Sequence, residues 1–158
     1  MHVAFIAFAA ALLALPAAQV AACEVAEFRA LEKQTPLPDP VVVAVVDLSD
    51  QALSLEVSGE LLHVWPVSTG RSGYATPTGE WRAQWLSPYH RSSKYGWAPM
   101  PWSVFFHGGY AIHGTTEVDD LGQPASHGCI RLHPDNAKIF YDLVESYGTG
   151  ATLIRIVE

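Results

Sequence analysis

Cysteine and basic residues are both scarce in this chain. Its 158 residues include 2 cysteines, and 9 Lys and Arg stand against 16 Asp and Glu, which gives a formal net charge of −7. Two cysteines cannot build the disulfide framework that small secreted domains use to supplement a core. The lack of a basic surface argues against a protein that binds nucleic acid through its phosphates. The chain is long enough to bury one hydrophobic core instead.

Charged side chains are absent from the first 22 residues. Within them, residues 4–15 form an uninterrupted apolar run that ends at Pro16 and is followed by small residues. This run is too short to span a bilayer, but it has the length of the apolar region of a secretory signal. We therefore predict a signal peptide over residues 1–22 and export of the protein to the periplasm or cell envelope. A buried N-terminal helix is the alternative.

The end of the predicted signal leaves the fate of Cys23 open. Residues 20–23, Val-Ala-Ala-Cys, resemble the lipobox of bacterial lipoproteins, in which the cysteine is lipidated, but they also suit ordinary signal peptidase. Apart from the signal, a lipid on Cys23 is the one membrane attachment that the sequence suggests. A disulfide to Cys129 is less favoured because it would block the most reactive group in the chain.

The remainder divides into a tether and one domain. Residues 23–40 are polar and end in a proline-rich stretch that can form neither helix nor sheet ladder. The domain, residues 41–158, has β-branched and alternating runs that follow one another without an intervening helix, so an antiparallel sheet is favoured. The predicted strands are residues 41–46, 52–57, 60–69, 110–112 and 151–157.

A single helix is predicted over residues 134–147. Pro134 suits its first turn, Gly148 suits its end, and an apolar stripe repeats at three- and four-residue spacing up to Tyr147. Residues 69–109 are rich in Gly, Pro and aromatics without periodicity, which predicts loops and short strands over a core or around a groove. The fold class is therefore mainly β, a sandwich of mostly antiparallel strands with one packed helix.

Cys129 lies in a stretch that is crowded with histidines. His113, His127 and His133 are all near it in sequence. A neighbouring imidazole can take the proton of a thiol, and the deprotonated sulfur is the nucleophile. Gly128, directly before the cysteine, would remove a side chain from the face that a substrate carbonyl approaches and free nearby N–H groups to bind an oxyanion.

The order of motifs resembles a known family. Residues 126–131, Ser-His-Gly-Cys-Ile-Arg, preceded by Ile-His-Gly at 112–114, resemble the active-site signature of the L,D-transpeptidases with a YkuD-type catalytic domain. Val-Ser-Thr-Gly at 67–70 and Thr-Pro-Thr-Gly at 76–79 also match, so the resemblance covers residues 41–158. It implies a β-sandwich of the YkuD type.

The resemblance also implies residue roles. Cys129 would be the nucleophile and His113 its general base, with the backbone carbonyl of Gly114 orienting the imidazole. His127 would shape the site, and main-chain N–H groups around His127, Gly128 and Cys129 would hold the oxyanion. These expectations need no metal and no cofactor.

The sequence allows two roles for several residues near Cys129. Arg131 stands where many relatives have Asn, and it is either a structural anchor or a clamp for a substrate carboxylate. Ser126 makes either a loop hydrogen bond or a substrate contact. The acidic residues Glu117, Asp119 and Asp120 form either a solvated loop or a surface that attracts a cationic amine.

The activity implied is acyl transfer on peptidoglycan stem peptides by a monomer. Cys129 would expel D-alanine from a tetrapeptide, and an amine would resolve the thioester as a 3→3 cross-link. Water as acceptor would make a cysteine peptidase, and a protein lysine would make an anchoring enzyme. The rival from another class is a zinc site built from Cys129, His127, His113 and either His107 or His133, although their spacing matches no paired-ligand pattern.

Overall fold

The computed structural model describes residues 39–158. The predicted signal peptide, Cys23 and all but the end of the tether therefore lie outside the described residues. In chain order the elements are β1 (Val42–Asp47), β2 (Ala52–Val57), β3 (Glu60–Pro66), β4 (Gly79–Arg82), β5 (Trp85–Ser92), β6 (Ala98–His107), β7 (Tyr110–Gly114), β8 (Ile130–Leu132), α1 (Pro134–Tyr147) and β9 (Thr152–Val157). Two single 3₁₀ turns lie at Val118–Asp120 and Thr149–Ala151.

The strands form two mixed sheets. One has the order β3-β2-β1-β9-β4 and the other the order β5-β6-β7-β8. Neighbouring strands are antiparallel except for β1 with β9 and β7 with β8, which are parallel. The predicted class, mainly β with mostly antiparallel strands and one helix, is confirmed. The sequence did not predict the two parallel pairs.

One hydrophobic cluster joins both sheets and the helix. Strand β1 shows why: its buried and half-buried side chains alternate strictly, so one face of the strand is fully buried. Burial of each large aliphatic side chain stabilises the fold by about 1.5–3 kcal/mol. The cluster includes Val42, Ala44, Val46, Leu53, Leu55, Val104, Phe106, Ile112, Ile130, Leu132, Phe140, Val144, Ile154 and Ile156.

The helix α1 begins and ends where the sequence predicted. Pro134 occupies its first turn, and the side chain of His133 accepts a hydrogen bond from the Asp135 N–H, which caps it. Gly148 follows with a φ of 92°. The apolar stripe is buried up to Val144, but Tyr147 is 48% exposed, so its place in the stripe was wrong. Among residues 39–158, no helix has the length and apolar character needed to span a bilayer.

For residues 69–109, the prediction of loops and short strands holds up to the four-residue strand β4 but is wrong for β5 and β6. Strands β5 and β6 have 8 and 10 residues and are paired with each other. The ring of Trp85 stacks on Phe105 with centroids 3.6 Å apart, which ties the two strands together. Pro99 and Pro101 argued against a strand in the sequence, because proline cannot donate a hydrogen bond to a neighbouring strand. In the structure, β7 pairs with β6 only from Val104 onward, so the two prolines interrupt no hydrogen bonds between β6 and β7.

Candidate active site

The parallel pair of β7 and β8 brings Cys129 and His113 to one face. His113 lies within β7, and Cys129 directly precedes β8. Ile112 pairs with Ile130, and both are fully buried in the core. Because side chains alternate along a strand, His113 and Cys129 point to the opposite side. One strand spacing and two residues of rise place their Cα atoms about 8 Å apart, which both side chains can bridge.

Both side chains line the same pocket. Its empty volume is ≈ 570 Å³, part of which is open to solvent. Ser92 and Met100 wall it from the β5–β6 hairpin, and Thr115 walls it from the segment after β7. Cys129 is a free thiol and is partly exposed, so a substrate can reach the sulfur.

His113 is held by its neighbour. Its Nδ1 lies 2.8 Å from the carbonyl oxygen of Gly114. Because a carbonyl only accepts, Nδ1 carries the proton and Nε2 is left as a bare acceptor. A Cβ at Gly114 would lie 3.1 Å from the Pro134 Cα and 3.2 Å from the Pro101 Cγ, so a glycine permits this packing. The contact expected of Gly114 is present, and its role in catalysis stays a prediction.

Burial keeps both groups of the pair neutral. It lowers the pKa of His113 to about 4, and the charge of Arg131 acts in the same direction, against the hydrogen bond to Gly114. Burial also raises the pKa of the Cys129 thiol, although a backbone hydrogen bond from Ala111 and the charge of Arg131 oppose that shift. Near pH 7 the resting pair is therefore a neutral thiol and a neutral imidazole.

Ser126 organises the turn before the nucleophile. Its Oγ accepts a hydrogen bond from the Gly128 N–H at 3.0 Å and donates one to the Cys129 carbonyl at 2.6 Å. Of the two interpretations of Ser126, the structure shows the loop hydrogen bond. It also corrects one prediction, because the Gly128 N–H is occupied and is not free for an oxyanion. The amides of His127 and Cys129 remain the candidate donors.

Gly128 is required by packing and backbone conformation. Its φ is 110°, and a Cβ there would lie 2.7 Å from the Tyr110 Cε1. The predicted reason, an open face for the substrate carbonyl, is therefore replaced by close contact with Tyr110. The Gly128 carbonyl accepts a hydrogen bond from the Thr76 hydroxyl at 2.9 Å, and that hydroxyl in turn accepts one from the Gly70 N–H at 2.9 Å.

The segment after β3 supports the same turn. The predicted strand 60–69 ends at Pro66, and beyond it Ser68 forms a bridge with Arg131. The buried Gln51 side chain fixes this segment, because it accepts from the Thr69 N–H at 3.0 Å and donates to the Thr69 hydroxyl at 2.7 Å. The sequence carried no signal for Gln51, whereas Thr76 was visible only as part of a turn motif.

Comparison with known proteins decides the family. The family model for YkuD, the L,D-transpeptidase catalytic domain, matches residues 41–156. The chain belongs to the YkuD family. In this YkuD domain the matched residues include both His113 and Cys129.

Individual relatives agree with this assignment. The YkuD protein of Bacillus subtilis is 27% identical over 122 residues, which are 75% of this chain and 71% of the relative. YqjB of the same species is 32% identical over 116 residues, 65% of each protein. The crystal structure of an L,D-transpeptidase from Mycobacterium tuberculosis superposes with a TM-score of 0.68 at 25% identity and covers 75% of this chain. This YkuD chain spans 58% of that solved chain.

Arg131 of this YkuD domain has its charge balanced by the acidic loop. Its Nη1 forms an ion pair with the Glu117 carboxylate and lies 3.9 Å from the Asp120 Oδ2. The Arg131 side chain is 16% exposed, against 60% for Glu117. These contacts favour the structural anchor over the carboxylate clamp, and they give Glu117 and Asp120 a partner within the protein.

His127 is fixed from three sides. Its Nε2 lies 2.7 Å from the Arg71 Nη2, its ring stacks on Tyr95 with centroids 4.4 Å apart, and the edge of Tyr74 approaches at 4.6 Å. A guanidinium only donates, so Nε2 accepts and the proton of the neutral ring is on Nδ1. Partial burial and the charge of Arg71 lower the pKa of His127. Sequence reasoning missed Arg71 and the role of Tyr95.

The histidines proposed as further zinc ligands lie elsewhere. His133 caps α1, and His107 packs its ring beside Trp81 with centroids 5.1 Å apart. Within residues 39–158, no three His, Cys, Asp or Glu side chains come together in an arrangement that could hold a metal ion. The residues of this YkuD site thus fit thiol chemistry better than zinc coordination.

Removal of the Ser126 hydroxyl is expected to destabilise the domain. Ser126→Ala leaves the Gly128 N–H and the Cys129 carbonyl without their partner in a site where Ser126 is 1% exposed, which costs about 1–3 kcal/mol. Urea denaturation measures this change in the free energy of unfolding. Ser146→Ala, which removes an exposed hydroxyl from α1, is the control and should change stability by less than about 0.5 kcal/mol. Equal effects of the two changes would contradict the role of Ser126.

His113 should make the domain less stable in mild acid. Its pKa is about 4 in the folded state and near 6.5 when unfolded, so the unfolded chain binds more protons between these values. The free energy of unfolding should therefore fall by about 3 kcal/mol as the pH drops from 6.5 to 4. Urea denaturation of wild type and His113→Gln across this range isolates the contribution. Parallel curves for the two proteins would refute it.

Proposed function

We propose that this protein is an exported peptidoglycan L,D-transpeptidase. The observation that carries the proposal is the free thiol of Cys129 in the same pocket as an imidazole whose Nδ1 is bound to the Gly114 carbonyl. This arrangement leaves the Nε2 of His113 as the acceptor for a proton from the sulfur. Membership of the YkuD family supplies the class of substrate, the tetrapeptide stem of peptidoglycan.

In the first step, the sulfur of Cys129 attacks the carbonyl carbon of the diamino acid at position three of the stem. The thiol proton passes to Nε2 of His113, and the carbonyl oxygen gains negative charge that amide N–H groups of His127 and Cys129 stabilise. When the intermediate collapses, the C–N bond to D-alanine breaks, and the imidazolium returns the proton to the departing amine. The acyl group is then held as a thioester.

In the second step, an amine on another stem attacks the thioester carbonyl. It gives its proton to His113 as the new amide bond forms, and the C–S bond breaks while the sulfur regains that proton. The product is a 3→3 cross-link. The energy of the cleaved peptide bond is conserved in the thioester, so the reaction needs neither nucleotide nor metal.

The neutral resting pair suits a thiol outside the cytoplasm. Oxidation of cysteine follows its thiolate character, and burial raises the pKa of the Cys129 thiol. The sulfur would therefore stay protonated until a substrate carbonyl is in place. This limits side reactions in an oxidising compartment without lowering the nucleophilicity that is available during attack.

The direct test is to incubate the purified protein with tetrapeptide-containing muropeptides and determine the masses of the products. Dimers that have lost one D-alanine support transpeptidation. Tripeptides alone would show that water is the acceptor and that the protein is a carboxypeptidase. Exclusive labelling of a protein lysine would show an anchoring enzyme. The Cys129→Ala variant is the matched control for background hydrolysis.

Export and anchoring are part of the proposal. The charge-free leader over residues 1–22 and the motif that ends at Cys23 are the observations that support them. Fractionation of cells that express the full chain, followed by mass analysis of the mature N-terminus, tests both. A membrane-bound product with a lipid on Cys23 supports anchoring, and a soluble periplasmic product from Cys23→Ser would show that the lipid holds it there. A product that retains residues 1–22 in the cytoplasm would contradict export.

A further inference from the structure

Two arginines stand near the pocket, and their charges are balanced differently. Arg131 is ion-paired with Glu117 and has Asp120 nearby. Arg71 is exposed, and among residues 39–158 no Asp or Glu lies within ion-pairing distance of its guanidinium. Within the described residues, Arg71 is therefore a cation beside this site without an ion-pair partner, as is Lys94, whose Nζ lies 5.3 Å from the centre of the Tyr95 ring.

Neutral groups hold Arg71 in position. Its Nη1 donates to the Ala125 carbonyl at 3.2 Å, its Nη2 donates to the His127 Nε2 at 2.7 Å, and its Cζ lies 4.8 Å from the centre of the Tyr74 ring. Its backbone N–H also donates to the Ser126 carbonyl at 3.1 Å. The guanidinium is thus fastened to the same turn that carries the nucleophile.

This arrangement leaves hydrogen-bond donors unused. A guanidinium has five N–H donors in a planar fork that matches a carboxylate, and the contacts to Ala125 and His127 use two of them. The accepted hydrogen bond places the proton of His127 on Nδ1, which adds a second kind of donor. His127 lines the pocket together with Cys129, and Arg71 is hydrogen-bonded to His127, so Arg71 is one side chain removed from the pocket lining.

The surrounding charge makes such a group useful. The chain has a net charge of −7, which repels an anionic ligand from most of its surface. To bind a carboxylate, Arg131 would first have to release Glu117, whereas Arg71 has no anion to exchange. Charge-assisted hydrogen bonds from an uncompensated guanidinium are among the strongest that a protein can offer to a carboxylate.

We propose that Arg71, with His127 beside it, binds a free carboxylate of the donor stem peptide and so determines which stems are accepted. The inference rests on the proposed function and names the chemical group that this part of the site recognises. The stem offers two sources of this group, the terminal carboxylate of the departing D-alanine and the side-chain carboxylates further along. Arg71 is a binding residue and takes no part in bond making.

The test combines variants of the protein with variants of the substrate. Arg71→Gln should lower kcat/KM for the unmodified tetrapeptide by about 10-fold, mainly by raising KM, because it removes a charge-assisted contact worth about 1.5 kcal/mol. Against a tetrapeptide amidated on the carboxylate that is bound, wild type and variant should differ by less than about 2-fold. Separate peptides amidated at the terminus or on the side chains identify which carboxylate this is. Arg71→Lys should recover part of the loss.

The control is Arg155→Gln. Arg155 and its ion-pair partner Glu80 both lie in the five-stranded sheet, whereas the pocket is built on the four-stranded sheet, and the Arg155 side chain is 44% exposed. Arg155→Gln therefore changes the net charge by the same amount as Arg71→Gln without changing a residue of the pocket. It should leave every peptide unaffected. If Arg71→Gln lowers kcat/KM equally for free and fully amidated peptides, Arg71 only stabilises the turn before Cys129, and the proposal is wrong.

A second measurement does not depend on turnover. Iodoacetate and iodoacetamide are of similar size and differ in charge, and both alkylate a thiol. The measured quantity is the rate of Cys129 alkylation by iodoacetate divided by the rate with iodoacetamide. Arg71→Gln should lower this ratio by at least about 3-fold, because only iodoacetate carries a carboxylate, while Arg155→Gln should leave it unchanged. If wild type fails to process stem peptides, the proposed function fails, and this ratio still decides whether Arg71 attracts carboxylates. An unchanged ratio together with uniform peptide kinetics overturns the proposal.

Discussion

Replacement of Cys129 by alanine is expected to lower kcat for acyl transfer by more than about 1,000-fold. In the proposed mechanism the sulfur forms the covalent intermediate, so no other group can carry the acyl chain when it is absent. Cys129 is the free thiol of the pocket, and the family match places it within the catalytic domain. Product formation from tetrapeptide stems, measured by mass, gives the rate, and the same experiment on wild type under identical conditions gives the reference.

The matching control keeps the shape of the site. Cys129→Ser places a hydroxyl where the thiol was, but a hydroxyl is a far poorer nucleophile at neutral pH, so this variant should be nearly as inactive as Cys129→Ala. Both variants should retain a cooperative unfolding transition within about 1 kcal/mol of wild type, because one partly exposed atom is changed. Full activity of either folded variant would eliminate the proposed mechanism.

Replacement of His113 by glutamine is expected to lower kcat/KM by about 100- to 10,000-fold, the range of a lost general base. Glutamine preserves a donor of similar reach but cannot accept the thiol proton and return it. In wild type the acid limb of kcat/KM should lie near pH 4, because burial lowers the pKa of His113 to about 4. In the variant, activity should instead rise with pH as the thiol itself ionises.

A histidine outside the pocket controls for the loss of an imidazole. His107 is exposed and packs beside Trp81, so His107→Gln should keep the wild-type rate and pH profile. The rates of Cys129 alkylation by iodoacetamide between pH 4 and 9 provide an independent readout of the thiol. An acid limb near pH 6.5 in wild type, or a fully active His113→Gln variant, would show that His113 is not the buried neutral base inferred here.

The fold was predictable where pattern and propensity agree. Strands β1, β2 and β9 and the helix α1 follow directly from periodicity, and the Pro134 and Gly148 boundaries follow from backbone chemistry. The parallel pairing of β1 with β9 was not predictable, because two strands at opposite ends of a domain carry no local signal of their register. The β5–β6 hairpin was missed because its sequence is rich in proline, which argues against strands. The stack of Trp85 on Phe105 across the two strands helps to hold them together and cannot be recognised from the sequence.

The site was predictable only in part. Cys129 and His113 are identifiable because they stand in an ordered motif, and the register of β7 with β8 then brings them to one face. The contact of Arg71 with His127 joins residues separated by 56 positions, and the support of Thr69 by Gln51 joins residues separated by 18. Such contacts depend on how segments pack, so a single sequence does not reveal them.

Strand β9 lies between β1 and β4 in the larger sheet and is the strand that joins them. A ribosome that has released everything up to residue 151 has therefore produced β3, β2 and β1 as one ladder and β4 without the neighbour that joins it to them. The larger sheet can close only after Thr152–Val157 emerges, so the joining of β4 to the β3-β2-β1 ladder waits for the last of the described strands.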